Sequence, residues 1–278
     1  MIKISYLDLK SQEIIATKML FNTIVYINII LLILAFLLPV YSFKINKLRS
    51  IKRSLTMHTA PAYKGDFIGF HHVEFACGDA TITSKMLTNA MGMEILAKSD
   101  LSTGNHKFSS FVLQSGHVQF VVTAPRKTLR DKGHKHKKSL PFPRYSASSA
   151  LKFLADHGFG VRAIGLTVAN VEECFDAMIS GGGVSALKPC IINDTNYNKG
   201  SCMMAEVSLY GDVVVRLIDA RNYTGGFLPN YEDVVAPGTK LGKYGIHRID
   251  HIVGNVHNLQ ATLNYIKNMT VSNTLLNV

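Results

Sequence analysis

The side chains best suited to chemistry are a few histidines and carboxylates. His72 and Glu74 lie two residues apart in FHHVEFACGDA (70–80). On a strand that spacing puts both on one face. A histidine and a carboxylate on a shared face are part of a facial iron site, which needs two histidines and one carboxylate and leaves positions open for substrate and oxygen. The second histidine is missing, because the matching position further along the chain is Ala163. A hydrogen-bonded core histidine is therefore the plainer reading of His72. His251 occupies the same place in a later segment, IDHIVGNV. His134 and His136 fall within RKTLRDKGHKHKK (126–138), whose lysines would repel a metal ion, so that stretch reads as a solvated basic loop. The motifs G-x-S-x-G, H-E-x-x-H and G-x-x-x-x-G-K-[ST] are absent, and Gly158, Gly160 and Gly165 lack dinucleotide-binding spacing.

Three similar segments position these residues: 70–93, 161–184 and one starting at 249. Each opens with a short, mostly apolar strand-like run and passes a polar turn (Gly78-Asp79, Asn170, Asn255) into a helix-like pattern. The helical apolar positions are Met86, Leu87 and Met91, then Val171, Cys174, Phe175 and Met178, then Leu259, Leu263 and Ile266. Glycines stop the first two helices at Gly92 and at 181–183. Further strands are expected at 94–98, 108–114 and 117–123, then near Leu187, at 202–210 and at 213–219. Ser115-Gly116 and Gly211-Asp212 mark hairpin turns. The unit is βαβββ, twice complete and a third time cut short after its helix. That makes an α+β fold in which paired units cover each other's sheet. Residues 126–150 are expected to be a basic loop between the units.

The net charge of +11 resides in two stretches: 44–53 with five basic residues and no acidic one, and 126–138 with seven and one. The rest is balanced, which argues against a nucleic-acid-binding face. Four cysteines with no close pairs read as free thiols. Residues 19–43 hold no charge and are long enough to span a bilayer, so they read as a membrane helix, with 1–18 a tail and 44–65 a basic linker. Lysine and arginine after the apolar run place the following domain in the cytosol, anchored to the membrane. Translation from Met57 would instead give a cytoplasmic protein.

The stretches FHHVEFACGDA (70–80), KSDLSTGN (98–105), SGHVQFVVTAP (115–125), HGFGVRAIG (157–165), LYGDVVVRLI (209–218), FLPNYE (227–232) and YGIHRIDHIVGNV (244–256) resemble 4-hydroxyphenylpyruvate dioxygenases, plant-type members in particular. The resemblance implies a vicinal-oxygen-chelate fold of βαβββ modules. It implies an N-terminal, non-catalytic domain at 66–225, a connector at 226–244 and the start of a catalytic domain at 245–278. It also implies Fe(II)- and O2-dependent conversion of 4-hydroxyphenylpyruvate to homogentisate in tyrosine catabolism. His251 would be the first iron ligand and Val253 would line the substrate pocket, whereas His72 would bind no iron. One ligand of three leaves the 278-residue chain inactive alone. Two further readings are a hydroxymandelate synthase-like oxygenase and a membrane-tethered, non-catalytic interaction module. Oligomeric state is left open, a homo-oligomer included.

Overall fold

The computed structural model describes residues 67–126, 140–235, 238 and 240–270. The chain divides into two units, 1–58 and 59–278, and all described residues lie in the second. The first βαβββ unit comprises β1 (Phe67–Ala76), α1 (Ala80–Met91), β2 (Glu94–Ser99), β3 (Phe108–Ser115) and β4 (Val118–Pro125). A helix outside the repeat follows, α2 (Ala147–His157). The second unit comprises β5 (Gly160–Val168), α3 (Val171–Ser180), β6 (Ser185–Asn193), β7 (Ser201–Tyr210) and β8 (Val213–Asp219). Then come a two-residue strand, β9 (Glu232–Asp233), and α4 (Leu259–Thr270).

All strands join one sheet in the order β6-β7-β8-β5-β1-β4-β3-β2-β9. Within each unit the first strand lies parallel to the last (β1 with β4, β5 with β8). The units meet where β1 and β5 pair antiparallel at the centre. Strand alternation sends neighbouring residues to opposite faces. Thus Val121, Met204 and Ile218 enter one core, while Val122, Ala205 and Leu217 enter the cores under the helices. Local chemistry sets the helix ends. The Asp79 carboxylate accepts from the Ile82 amide at 2.9 Å, and Asn170 does the same for Glu173 at 3.1 Å. Gly92 leaves α1 at φ 64°, where a side chain would be strained and would also strike Lys243 and Tyr244.

Several expectations need correction. The stretch 126–150 is not wholly loop, because α2 begins at Ala147. Ser146 caps it, accepting from the Ser149 amide at 3.2 Å, and Phe153 is its buried anchor. The remainder of that stretch, 127–139, lies outside the described residues. On α1 the buried side is Ala80, Ser84 and Leu87, with Met86 exposed. No strand forms at 249: 246–256 carries no regular structure, and Ile246 and Ile249 pack instead against the core under α1. The apolar positions of α4 differ in burial. Ile266 packs with Met178 and buried Met269 in the core under α3, while Leu259 remains exposed. In 226–235, Phe227, Leu228 and Tyr231 are buried in a core built from both βαβββ units.

Membrane anchoring is also corrected. Among the described residues no helix is long and apolar enough to cross a membrane. The segment 19–43 itself lies outside the described residues. Cys77, Cys190 and Cys202 carry free thiols, and burial pushes that of Cys202 up to about 12.

Candidate functional site

Buried His72, Glu74 and Arg216 meet on the sheet face opposite α1 and α3, at the β1–β5 seam. Register explains the meeting. Arg216 on β8 stands beside Gly165 on β5, and Gly165 stands opposite His72 on β1. Glycine has no side chain there, so the Arg216 and His72 side chains reach across it. Arg216 Nη1 donates to His72 Nε2 at 2.9 Å, Nη2 to Glu74 at 2.8 Å, and Nε to Glu206 at 2.7 Å. The guanidinium also lies 4.5 Å over the Phe142 ring. One ring and two carboxylates thus engage all three nitrogens of the guanidinium.

Proton direction follows from the donors. His72 accepts at Nε2, so its proton sits on Nδ1 and is given to His71 Nδ1 at 2.9 Å. The second oxygen of Glu74 accepts from Thr123 at 2.8 Å. Thr123 in turn accepts from Ser110 at 3.1 Å, and Ser110 from the Tyr231 hydroxyl at 2.7 Å. The cluster is therefore self-satisfied, as a buried polar network must be to persist. Burial, then the Arg216 charge, lowers the His71 pKa to about 4. Burial, then His71 and Arg216, holds His72 well below its ordinary value. Burial alone would lower Arg216, but Glu206 and Glu74 more than offset it and raise it. Burial raises the Tyr231 hydroxyl. At neutral pH the two imidazoles are uncharged and the arginine is the resident cation.

An alanine at 165 would drive its Cβ into the His72 ring, which is fully buried and cannot retreat. Gly165→Ala is expected to cost about 1–3 kcal/mol, as overpacked cores do. The midpoint of urea unfolding checks this, and an unchanged midpoint would contradict the close approach.

His72 is thus a core histidine and Glu74 an arginine partner. His251 is elsewhere, exposed in the irregular segment before α4, with Nδ1 3.2 Å from the Asp250 carboxylate. Val253 is 66% exposed. His251 is not part of a three-donor cluster among the described residues. The described cluster that could offer three donors is Asp156, His157 and Asp212, all exposed. Lys152 already pairs with Asp156 there, and His157 with Asp212.

Sequence reasoning missed Arg216, Glu206, Thr123, Ser110 and Tyr231. One signal was available: an arginine inside the apolar run VVVRLID, beside the glutamate inside HHVEF. A charge in the middle of a strand that is otherwise apolar asks for a buried partner.

No protein-family model matches the chain. Curated relatives do. A 4-hydroxyphenylpyruvate dioxygenase from Daucus carota is 42% identical over 204 residues, 72% of this chain and 44% of that protein. One from Plectranthus scutellarioides is 40% identical over 205 residues, with 72% and 44% covered. One from Arabidopsis thaliana is 37% identical, with 72% and 45% covered. Among solved structures, a mutant 4-hydroxymandelate synthase from Streptomyces coelicolor aligns at TM-score 0.49 and 20% identity, covering 73% of this chain and 52% of that one. Methylmalonyl-CoA epimerase from Mycobacterium tuberculosis aligns at TM-score 0.39 and 16% identity, covering 56% and 90%. The chain spans less than half the length of the curated plant relatives it matches, and it is a homologue of the 4-hydroxyphenylpyruvate dioxygenases.

Proposed function

We propose that this chain contributes the N-terminal module pair of a 4-hydroxyphenylpyruvate dioxygenase, an Fe(II)- and O2-dependent oxidoreductase that makes homogentisate. Residues 66–225 are the non-catalytic pair, 226–244 the segment that leads out of it, and 245–278 the beginning of the catalytic domain. His251 is the first iron ligand and Val253 a wall of the substrate pocket once the partner strands are present. The observation that carries this reading is the 37–42% identity to plant enzymes over 72% of the chain. The buried Arg216 cluster supports the non-catalytic role of the first pair. It fills the inner face of the sheet with a guanidinium already bound by one histidine and two carboxylates. No open coordination face is left for a metal there.

The test is a chimera of residues 67–270 followed by the remainder of the carrot relative, assayed with iron(II), ascorbate and 4-hydroxyphenylpyruvate. Homogentisate is expected from the chimera, and His251→Ala is expected to reduce it by about 100-fold or more, at least the loss seen for weaker metal-site changes. A chimera that folds, by circular dichroism, yet stays inactive would remove the proposal.

A further inference from the structure

A pocket of about 200 Å³ opens above the Arg216 cluster, between the sheet and the segment that leads into α2. It belongs to neither the proposed iron centre nor the substrate pocket. Its floor is Glu74, Glu206 and Arg216, which are already paired with each other. A ligand therefore gains no new ion pair at the floor.

The other surfaces are different. Phe142 and Tyr145 form an aromatic wall, held by Phe108, whose ring lies 5.7 Å from Phe142 and 4.2 Å from Tyr145. The Tyr145 hydroxyl is buried and has no hydrogen-bond partner among the described residues. A buried donor of this kind calls for an acceptor. The rim carries Arg144 and Arg162. Arg162 is fixed in place, donating to the Asp212 carbonyl and lying 5.8 Å over the Phe153 ring. Arg144 is exposed and pairs with no carboxylate among the described residues. The floor's two carboxylates and one guanidinium leave one net negative charge, and the two rim arginines turn the pocket as a whole positive by one. A drug-sized ligand takes roughly 300–1,000 Å³, so this volume limits the occupant to a single ring with a short tail.

We propose that this pocket binds a small aromatic carboxylate, with its ring against Phe142 and Tyr145 and its carboxylate at Arg144 and Arg162. The site is a binding site without catalysis and stands independently of the dioxygenase reading.

The probe is phenylacetate, titrated calorimetrically into the full 278-residue chain, with inorganic phosphate as a second arm. Saturable one-to-one binding of phenylacetate is expected, in the millimolar range or tighter. Arg144→Glu, an exposed position that leaves the fold alone, is expected to weaken it about tenfold, one charge-assisted contact's worth. Absence of saturable binding up to about 10 mM phenylacetate overturns the proposal. So does affinity unchanged by Arg144→Glu. Phosphate that competes as strongly as phenylacetate also overturns it, because the rim would then be a plain anion site and the aromatic wall idle.

Discussion

Arg216→Ala is expected to lower the free energy of unfolding by about 3–5 kcal/mol, the usual result of removing one member of a buried ion cluster. Arg216 and Glu74 are both 5% exposed at the side chain, and Glu206 is 19% exposed. Without the guanidinium, two carboxylates face each other across His72 with no counter-charge and little water. Repair by protonation or by water entry costs nearly as much as the lost pair. Urea unfolding followed by circular dichroism reads the change. The companion variant is the triple change Arg216→Met, Glu74→Gln and Glu206→Gln, which removes every charge together. It is expected to recover most of the loss, because apolar or neutral replacements of whole buried ion clusters are often tolerated. A single truncation costing under about 1 kcal/mol, the range of an exposed pair, would show that the cluster is solvated rather than buried.

Acid is expected to destabilise the fold well above the pH at which most carboxylates protonate. His71 is shifted from 6.5 to about 4, and His72 is also held well below its ordinary value. Both shifts lower the folded-state pKa. The unfolded chain then binds more protons than the folded one between about pH 6.5 and 4. The stability is fully present above the unfolded pKa near 6.5 and falls away as pH drops through that window. His72 is fully buried and His71 is half-buried, so between one and two protons are taken up on unfolding. The slope is about 1.4–2.7 kcal/mol per pH unit near pH 5. The groups facing the two rings are Arg216 from β8, Glu74 from β1 and Phe227 from the segment after β8. Arg216 opposes a second positive charge on either ring. Unfolding free energies at pH 7.5, 6 and 5 measure the slope, and His71→Gln should reduce it. A stability that is flat between pH 7.5 and 5 would show that both imidazoles remain protonatable in the folded state.

How legible the molecule was depends on how local each feature is. The order βαβββ, twice over, could be read from apolar period and turn chemistry. Asp79 and Asn170 cap their helices from adjacent residues, and Gly92, Gly116 and Gly211 turn the chain at positive φ. The family likeness was also a matter of contiguous residues, from FHHVEFACGDA to IDHIVGNV. α2 could have been found in the same way. Ser146 caps it and Gly158 ends it, but the adjoining basic run drew the whole stretch into a loop assignment.

The rest needed distant parts of the chain to meet. The segment at 249 has strand-like composition, yet a strand exists only when its backbone bonds to another strand, and in the described residues this segment joins no sheet. His72 and Glu74 share a face as their spacing requires. Their role as arginine partners depended on Arg216, 142 positions from Glu74, arriving across a glycine. The amino-acid order by itself determined which segments become helices, strands and turns, since those choices rest on interactions between near neighbours. Only the folded sheet decided which charges are buried together and which histidine stays in solvent, because strand register sets those encounters and register is a property of the whole assembly of strands.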